Sequence, residues 1–400
     1  MPSPSSPSGV NRLFLILSLN FALFGASMTV FGATLPEIIR AMDWSYLVAG
    51  VIIASNSFAY FVTTFVSGMM VHKIGLGRLM LGGLLLQGLG IGMFGTTRNI
   101  LLNLGAFMLV GIGQGAIEIV TNFSVVQMEA RGRSRLMNLI HSAFTVGAIL
   151  APFLTGALIS GGIAWRSIYV ALAATSFAMM GVFCLPSARF QIFDGGHSPS
   201  QGGSLKILKH PALLLLALTM FLYVGTEIGI SSWISEFFVT QFELAPSTAA
   251  YLVSLFWLGI LLGRLGTSLL YKGNQQARLL LIFSLGSAIS LGTALLTRNA
   301  AASAALFFCT GLGFSTIYPT VITIVGDRYA HARGVAIGFV STTGGIGMCI
   351  FPFIMSGIAN QTELRSGFWF YLLVTLLMTA TTAAAFWRTR THPAANDAPS

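Results

Sequence analysis

The feature that most restricts the fold of this chain is a succession of long apolar stretches that contain almost no charge. Of its 400 residues, 55% are hydrophobic and only 8% are charged, and the mean hydropathy is +0.82. A soluble domain carries roughly 25% charged residues. The chain has room for about twelve stretches of roughly 20 residues with short loops, the length that crosses a bilayer as a helix. We therefore predict a polytopic membrane protein.

The apolar stretches are predicted to be helices. A bilayer offers no water to satisfy backbone amides, so only helices and closed barrels cross it. The runs are too long for the alternating strands of an outer-membrane barrel. The sequence therefore predicts an all-α integral membrane protein with twelve transmembrane helices, among them 12–36, 211–235 and 367–387.

The net charge of +10 comes from basic residues near the ends of these predicted helices. With the loops assigned to alternate sides, fifteen Lys and Arg fall on one side and five on the other. The positive-inside rule then places both termini and the central loop in the cytoplasm, with the protein in the inner membrane. This distribution argues against nucleic-acid binding. The five on the other side are Arg40, Arg98, Arg166, Arg298 and Arg365.

Polar segments divide the predicted helices into two groups of six, 12–185 and 211–387. The stretch between them, 186–210, is rich in Gly and Ser and is predicted to be a flexible cytoplasmic linker. Residues 1–11 are rich in Ser and Pro, and we expect a disordered cytoplasmic tail there. Residues 388–400 form a second cytoplasmic tail. The first apolar run is too long for the core of a signal peptide.

A shift of 200 residues aligns the second half of the chain with the first. Over 111–153 against 311–353, nine of 43 positions are identical without gaps, where composition alone gives roughly four. Gly25 and Gly225 extend this register. Such a repeat indicates two pseudo-symmetric six-helix bundles with a substrate site near mid-membrane between them. The nine pairs are Gly111/Gly311, Gly113/Gly313, Ile117/Ile317, Val125/Val325, Ala130/Ala330, Arg133/Arg333, Gly147/Gly347, Pro152/Pro352 and Phe153/Phe353.

Two carboxylates lie deep inside predicted helices, Glu118 in the fourth and Glu227 in the seventh. Charges at this depth usually face a partner or a water-filled cavity and mark functional sites. Glu118 shares a helix face with Asn122, and Gln114 borders that face. Because an unpaired buried carboxylate would cost several kcal/mol, we expect these three residues to bind substrate. For the glycines on the same face, helix packing is the alternative.

In the seventh predicted helix, Tyr223 and Glu227 are one turn apart and lie on the same side. Two interpretations of Glu227 stay open, a site that binds substrate or a proton and a structural carboxylate held by a neighbouring helix. Arg264 in the eighth helix is a candidate counter-ion. It lies nearer the cytoplasmic end, so the alternative is that its side chain extends to the membrane surface.

Further polar residues are weaker candidates for substrate binding. Asn138 and His141 share a face of the fifth helix, and His141 could bond a substrate, relay protons or simply join two helices. In the tenth helix, Tyr318 extends the face that begins at Gly311.

No sequence motif indicates an enzyme, a metal site or a cofactor. Gly90, Gly92 and Gly95 have the spacing of a dinucleotide-binding loop, but they lie within an apolar helix with no preceding strand. There is no P-loop, so we do not expect the chain to use ATP. The three cysteines have neither metal-binding nor disulfide-framework spacing. We therefore expect no catalytic residues, no metal and no cofactor.

The loop 68–78, GMMVHKIGLGR, resembles the G-x-x-x-D-R-x-G-x-R-R signature of the major facilitator superfamily. The matching residues are Gly68, Gly75 and Arg78. Lys73 replaces the first arginine of the signature, and His72 replaces its aspartate, so the usual salt bridge of this loop is not expected. The resemblance implies the two-bundle fold of that superfamily. It also implies a gating role for this loop and for Arg264.

Three other stretches resemble the fucose permease-like branch, which comprises proton symporters of fucose, galactose and glucose. They are 223–233 with the following Gly-Arg pair, the Glu-x-x-x-Asn of the fourth helix, and 138–141. The resemblance covers nearly the whole chain and implies proton-coupled sugar symport by alternating access. It also implies that Trp233 belongs to the substrate site.

Within that branch, the fourth-helix glutamate contacts the sugar, and Glu118 matches it. A first-helix aspartate four residues before a proline takes part in proton coupling, but here that position is Gly32. Proton coupling would then rest on Glu118 or Glu227, and otherwise the protein is a uniporter.

The expected partners are a sugar-like small molecule, protons or another coupling ion, and the lipid bilayer, and we expect a monomer. Two alternatives stay open. A drug or metabolite exporter would fit the faint likeness of 147–156 to the antiporter motif of the fifth helix. A transporter-like receptor that moves nothing would bind sugar without flux.

Overall fold

The computed structural model describes residues 7–128, 135–185, 205–271, 275–329 and 332–391. These ranges contain thirteen α-helices, one 3-10 helix at Leu205–Lys209, and no strand. The α-helices are α1 (Pro7–Met42), α2 (Tyr46–Ile74), α3 (Leu76–Met93), α4 (Ile100–Met128), α5 (Arg135–Ser160), α6 (Trp165–Cys184), α7 (Pro211–Phe242), α8 (Pro246–Leu270), α9 (Gln276–Leu296), α10 (Ala300–Phe314), α11 (Ile317–Arg328), α12 (Arg333–Gln361) and α13 (Leu364–Thr391).

Twelve segments of the described chain are long and apolar enough to cross a membrane, with α10 and α11 together forming the tenth. The prediction of an all-α, twelve-helix membrane protein is therefore confirmed. Several ends differ from the predicted ones. The first helix starts at Pro7, so residues 7–11 are helical rather than part of a tail, because proline is tolerated in the first turn of a helix.

Other predicted ends were too short. α1 continues through Pro36 to Met42 instead of ending at 36. α7 continues to Phe242 instead of ending at 235, because no glycine or proline interrupts it before Pro246. α13 continues to Thr391, past the predicted start of the second tail. Residues 1–6 and 392–400 of the predicted tails and 186–204 of the predicted linker lie outside the described residues.

The chain forms two compact units. The first holds α1 to α6 together with Ser232–Ser254, which is the second part of α7, the turn and the first part of α8. The second holds the first part of α7 and the chain from Leu255 onward. The division therefore passes through α7 and α8, and the predicted boundaries at 185 and 211 stay a prediction.

The 200-residue repeat is visible in the packing inside each unit. In the first unit, a Cβ on Gly111 of α4 would press on the backbone of Asn56 on α2. In the second unit, a Cβ on Gly311 of α10 would press on the backbone of Phe256 on α8. Each residue of the second contact lies 200 positions after its counterpart in the first. Small residues thus allow equivalent helix pairs to approach closely.

Gly25 and Gly147 allow a similarly close approach between α1 and α5. A Cβ on Gly147 would overlap the carbonyl group of Ala22, and a Cβ on Gly25 would overlap that of Phe144. We expect Gly147→Ala to destabilise the detergent-solubilised protein by about 1–3 kcal/mol, because the two backbones must separate. Its melting temperature measures this effect.

The matched control is Gly105→Ala on α4, where a Cβ would meet no heavy atom within 4 Å. Alanine is the better helix former, so this variant should be as stable as the parent or slightly more stable. Equal melting temperatures for Gly147→Ala and Gly105→Ala would contradict the close α1–α5 contact.

Two of the five arginines assigned to the outer side bond to the ends of helices. Arg166 donates from Nε to the carbonyl oxygen of Gly95, just after α3, at 2.6 Å. Arg365 donates to the carbonyl oxygen of Leu295 in the last turn of α9. The last carbonyl groups of a helix lack partners within the helix and favour a cation. Arg365 therefore stabilises the end of α9, and Arg166 holds the turn that follows α3; the two accepting carbonyl groups, but not the two arginines, are 200 positions apart.

Candidate functional site

Glu118 on α4 is bound by neutral side chains. The hydroxyl of Tyr60 on α2 donates a hydrogen bond to Glu118 Oε2. Asn122, one turn further along α4, also bonds to this carboxylate through its side chain. The Oδ1 atom of Asn122 is buried and has no partner among the described residues. No cation is among the groups that act on Glu118 in the described chain.

The close approach of α2 and α4 explains why Tyr60 reaches Glu118. A Cβ on Gly115, one turn before Glu118, would lie 2.6 Å from the carbonyl oxygen of Tyr60. The absence of a side chain at Gly115 therefore lets the Tyr60 backbone pass beside α4. The Tyr60 ring also stacks on Phe24 of α1, with ring centroids 6.4 Å apart. Packing, the alternative given for the glycines of this face, is what the structure shows for Gly115.

Gln114 joins three helices. Its Nε2 donates to Ser27 Oγ on α1 at 2.9 Å, and its Oε1 accepts from Asn56 Nδ2 on α2 at 3.4 Å. Asn56 Nδ2 also bonds to the carbonyl oxygen of Phe107 at 3.0 Å. Since Gln114 is buried, these bonds hold α1, α2 and α4 together just before Glu118. Substrate binding by Gln114 stays a prediction.

A row of aromatic rings leads from His141 on α5 towards this site. The imidazole meets the Phe21 ring edge-on at 5.4 Å, Phe21 stacks on Phe24 at 5.2 Å, and Phe24 stacks on Tyr60. His141 is half-buried, whereas Asn138, near the start of α5, is exposed. Substrate contacts of these two residues stay predictions.

The second carboxylate has a cation beside it. Tyr223 donates from its hydroxyl to Glu227 Oε1 at 2.6 Å, and Arg264 Nη2 on α8 lies 4.0 Å from the same oxygen. Tyr223 is fully buried and Glu227 is 6% exposed. Of the two interpretations of Arg264, the structure supports the counter-ion. The contrast with Glu118 is therefore one of charge, because Glu227 is ion-paired and Glu118 has neutral partners.

A break in the tenth transmembrane segment helps to hold Arg264 in place. Proline has no N–H and its ring collides with the carbonyl group four residues earlier, which for Pro319 is Ser315. α10 accordingly ends at Phe314 and α11 begins at Ile317. The Ser315 carbonyl oxygen, deprived of its helical donor, accepts from Arg264 Nε at 3.3 Å. The guanidinium thus connects α8 to this break and to Glu227.

Trp257 lies in the same unit on α8, about two turns before Arg264. Its indole Nε1 donates to Ser231 Oγ on α7 at 2.7 Å, and both side chains are buried. Together with Glu227 and Arg264, this bond forms a second polar link between α7 and α8.

Two further residues were predicted to belong to the substrate site, Trp233 and Tyr318. Trp233 is fully buried in the first unit, where its ring meets Tyr46 of α2 edge-on at 5.8 Å. Tyr318, at the start of α11, is 36% exposed. Their roles in substrate binding stay predictions.

The predicted loop motif forms the turn between α2 and α3. Gly75 has a φ of +86°, which glycine adopts without strain, and its N–H bonds to the carbonyl oxygen of Val71. Lys73 and Arg78 are exposed, and a Cβ on Gly68 would meet nothing within 4 Å. The side chain of His72 lies outside the described residues. The gating role of this loop stays a prediction.

Tyr60 is the site residue that the sequence analysis missed. A signal was present, because Asn56, Tyr60 and Thr64 follow one another at steps of four along α2 and form a polar line on an apolar helix.

Comparison with known proteins places this architecture in a family. The model of the "Major Facilitator Superfamily" matches residues 17–352 and 275–399. The "Protein TsgA homolog" of Yersinia pestis (strain Pestoides F) is 23% identical over 396 residues, which cover 95% of this chain and 97% of the relative.

Solved structures share the fold at low sequence identity. A bacterial homolog of the human lysosomal transporter Spinster, inward-facing and occupied, has a TM-score of 0.77 at 14% identity and covers 98% of this chain and 100% of its own. A D-xylose-proton symporter has a TM-score of 0.75 at 14% identity, with coverage of 92% and 96%. The transporter FucP in the outward conformation has a TM-score of 0.66 at 18% identity, with coverage of 94% and 99%.

Proposed function

This chain belongs to the Major Facilitator Superfamily, and we propose that it is a secondary transporter that moves a sugar together with a proton by alternating access. The observation that carries the proposal is the environment of Glu118. A carboxylate inside a transmembrane helix, bonded by a tyrosine hydroxyl and an asparagine and by no described cation, is suited to gain and lose a proton.

The two glutamates are proposed to have different roles. With Arg264 beside it at 4.0 Å and Tyr223 bonded to it, Glu227 can stay ionised throughout the cycle and hold α7 to α8. Glu118 has no such compensation, so its negative charge is costly whenever water is excluded. We therefore assign proton coupling to Glu118 rather than Glu227.

In the proposed cycle, Glu118 is protonated while the site is open to the outside, and the acid hydrogen-bonds a sugar hydroxyl. The loaded site then opens to the cytoplasm, where water stabilises the carboxylate and the proton leaves. Tyr60 and Asn122 complete the set of neutral donors and acceptors around Glu118. Groups of this kind suit an uncharged solute that carries several hydroxyls.

Similarity to a D-xylose-proton symporter, together with the resemblance of 223–233 and 138–141 to the fucose permease-like branch, supports the choice of a sugar. The excess of Lys and Arg in one set of loops supports an inner-membrane location with both termini in the cytoplasm.

The test uses the full-length protein in liposomes that contain a pH-sensitive dye. Hexoses, 6-deoxyhexoses and pentoses are added outside one at a time, and lumenal pH is recorded. We expect one class of sugar to acidify the lumen at a rate that saturates with its concentration, with protein-free liposomes as the control.

Other outcomes would replace the proposal. Uptake of labelled sugar without acidification would indicate uniport or another coupling ion. Sugar binding without uptake would support a transporter-like receptor. If no sugar acidified the lumen and cells that express the protein became resistant to drugs, the exporter would be supported.

A further inference from the structure

A third carboxylate, Glu236, lies inside α7 and has no part in the proposed cycle. It follows Glu227 by nine residues, which places it about 14 Å further along the helix. It belongs to the first unit, whereas Glu227 belongs to the second. Glu236 is 5% exposed. A carboxylate buried at this level in an apolar helix needs an explanation.

Two side chains from other helices act on Glu236. Tyr46, the first residue of α2, donates from its hydroxyl to Glu236 Oε1 at 3.3 Å. Arg40, in the last turn of α1, acts on Glu236 electrostatically. The Arg40 side chain is 56% exposed and lies 4.0 Å from Glu37. Among the described residues, Tyr46 and Arg40 are the titratable groups that act on the Glu236 carboxylate.

Trp233, on the same helix as Glu236, also contacts Tyr46. It lies one turn before Glu236, is fully buried, and meets the Tyr46 ring edge-on at 5.8 Å. Its indole N–H is buried without a partner among the described residues, and leaving such a group unpaired is unfavourable. The contact between α2 and α7 therefore combines favourable packing of the two rings with an unfavourable buried indole N–H.

The α8 side of the same segment contacts α5. Ser254 Oγ donates to the carbonyl oxygen of Ile149 at 2.7 Å, and the rings of Tyr251 and Phe153 lie 5.3 Å apart. Gly156 completes this contact, because a Cβ there would lie 2.7 Å from the carbonyl oxygen of Ser247. The segment Ser232–Ser254, which we call the α7–α8 hairpin, is thus held to α2 by Tyr46 and to α5 by small and aromatic residues.

We call the arrangement in which the α7–α8 hairpin lies against α2 the closed contact. The negative charge of Glu236 is poorly compensated there. A buried carboxylate is stable when it is fully hydrogen-bonded and paired. Glu236 accepts one long hydrogen bond, from the Tyr46 hydroxyl, and its nearby cation is Arg40, which is mostly exposed and also lies beside Glu37. The neutral acid therefore fits the closed contact better than the anion. When the hairpin separates from α2, water can reach the carboxylate and the anion becomes the favoured form.

We propose that Glu236 is a second proton-binding site, whose protonated form keeps the α7–α8 hairpin on α2 and whose ionised form favours separation of the two. The inference rests on the proposed alternating access, because separation of this contact is the movement to which the site is coupled. Low pH stabilises the closed contact, and this stabilisation is lost as pH rises and the proton leaves.

The test measures the distance between α2 and the hairpin directly. Spin labels are attached at Leu47→Cys and Ala245→Cys, both exposed positions of the first unit, in full-length protein whose three native cysteines are replaced by serine. Double electron–electron resonance is recorded in liposomes from about pH 5.5 to about pH 8.5. One coupled proton allows the ratio of separated to closed populations to rise by up to about tenfold per pH unit.

Three variants give the proposal its decisive outcomes. Glu236→Gln should stay closed at every pH, and Tyr46→Phe should show more of the long distance at low pH. Glu243→Gln, an exposed carboxylate on the same hairpin, should respond to pH as the parent does. An unchanged pH response in Glu236→Gln, or none in the parent, would overturn the inference. The readout needs no sugar, so it can succeed or fail independently of the symport assay.

Discussion

Replacing Glu118 with glutamine is expected to abolish sugar-driven acidification of the liposome lumen while sugar exchange continues. Glutamine keeps the shape of the side chain and can still accept the Tyr60 hydroxyl bond, but it cannot carry a proton. We expect the initial rate of acidification to fall by at least about 100-fold, which corresponds to about 2.7 kcal/mol. Exchange of labelled sugar at equal concentrations on both sides needs no net proton movement, so it should stay within about tenfold of the parent.

Tyr60→Phe provides the matched comparison. It removes the hydroxyl that bonds to Glu118 but leaves the proton-carrying group in place. Sugar-driven acidification should therefore persist at a reduced rate, and its dependence on external pH should change. If Glu118→Gln transported sugar and protons as the parent does, the assignment of proton coupling to Glu118 would be wrong.

The overall fold was predictable because bilayer thickness and backbone hydrogen bonding leave few choices. Apolar length alone identified twelve transmembrane segments, and the 200-residue repeat identified which helices are equivalent. The repeat also extends beyond residues 111–153 and 311–353. The loops 97–99 and 297–299 are both Thr-Arg-Asn, and in each the asparagine Oδ1 caps the following helix. A three-residue identity is weak evidence of a repeat by itself, but here the two asparagines have the same structural role.

Helix ends were less predictable than the number of helices, and the end of α7 decides whether Glu236 is buried. The predicted seventh helix, 211–235, ends one residue before Glu236. The helix in fact continues to Phe242 and buries Glu236, because aromatic residues follow it and no helix breaker intervenes. The Pro319 break was recoverable from the sequence, since proline in mid-segment weakens the turn before it.

The composition of the site was only partly predictable. Periodicity places Glu118 and Asn122 on one face of a helix, but it does not show which neighbouring helix that face meets. The Tyr60–Glu118 bond depends on how closely α2 and α4 approach, which the glycines of α4 determine. In the same way, the sequence left Arg264 undecided, because the position of the Ser315 carbonyl depends on a break in another helix.

Removing the cation beside Glu227 is expected to have the largest effect on stability. Arg264→Gln leaves a carboxylate that is 6% exposed with Tyr223 as its hydrogen-bond donor. Loss of one partner of a buried ion pair typically costs about 3–5 kcal/mol, so we expect a marked fall in the melting temperature of the detergent-solubilised protein at neutral pH. Arg278→Gln, which removes an exposed arginine of α9, should change stability by less than about 0.5 kcal/mol.

Glu227→Gln and the double variant distinguish the stability that comes from the ion pair from the cost of burying a single unpaired charge. Glu227→Gln should cost less than Arg264→Gln, because the remaining guanidinium is 29% exposed and still bonds to the Ser315 carbonyl. With both residues changed to glutamine, no uncompensated charge remains, and much of the lost stability should return as a coupling energy of about 0.5–3 kcal/mol. If the stability losses of the two single variants were additive, or if Arg264→Gln were as stable as Arg278→Gln, Arg264 would not be the counter-ion of Glu227. Its side chain would then extend to the membrane surface instead. The ion pair would then give no reason to treat the two glutamates differently, and the assignment of proton coupling to Glu118 would rest on the exchange experiment alone.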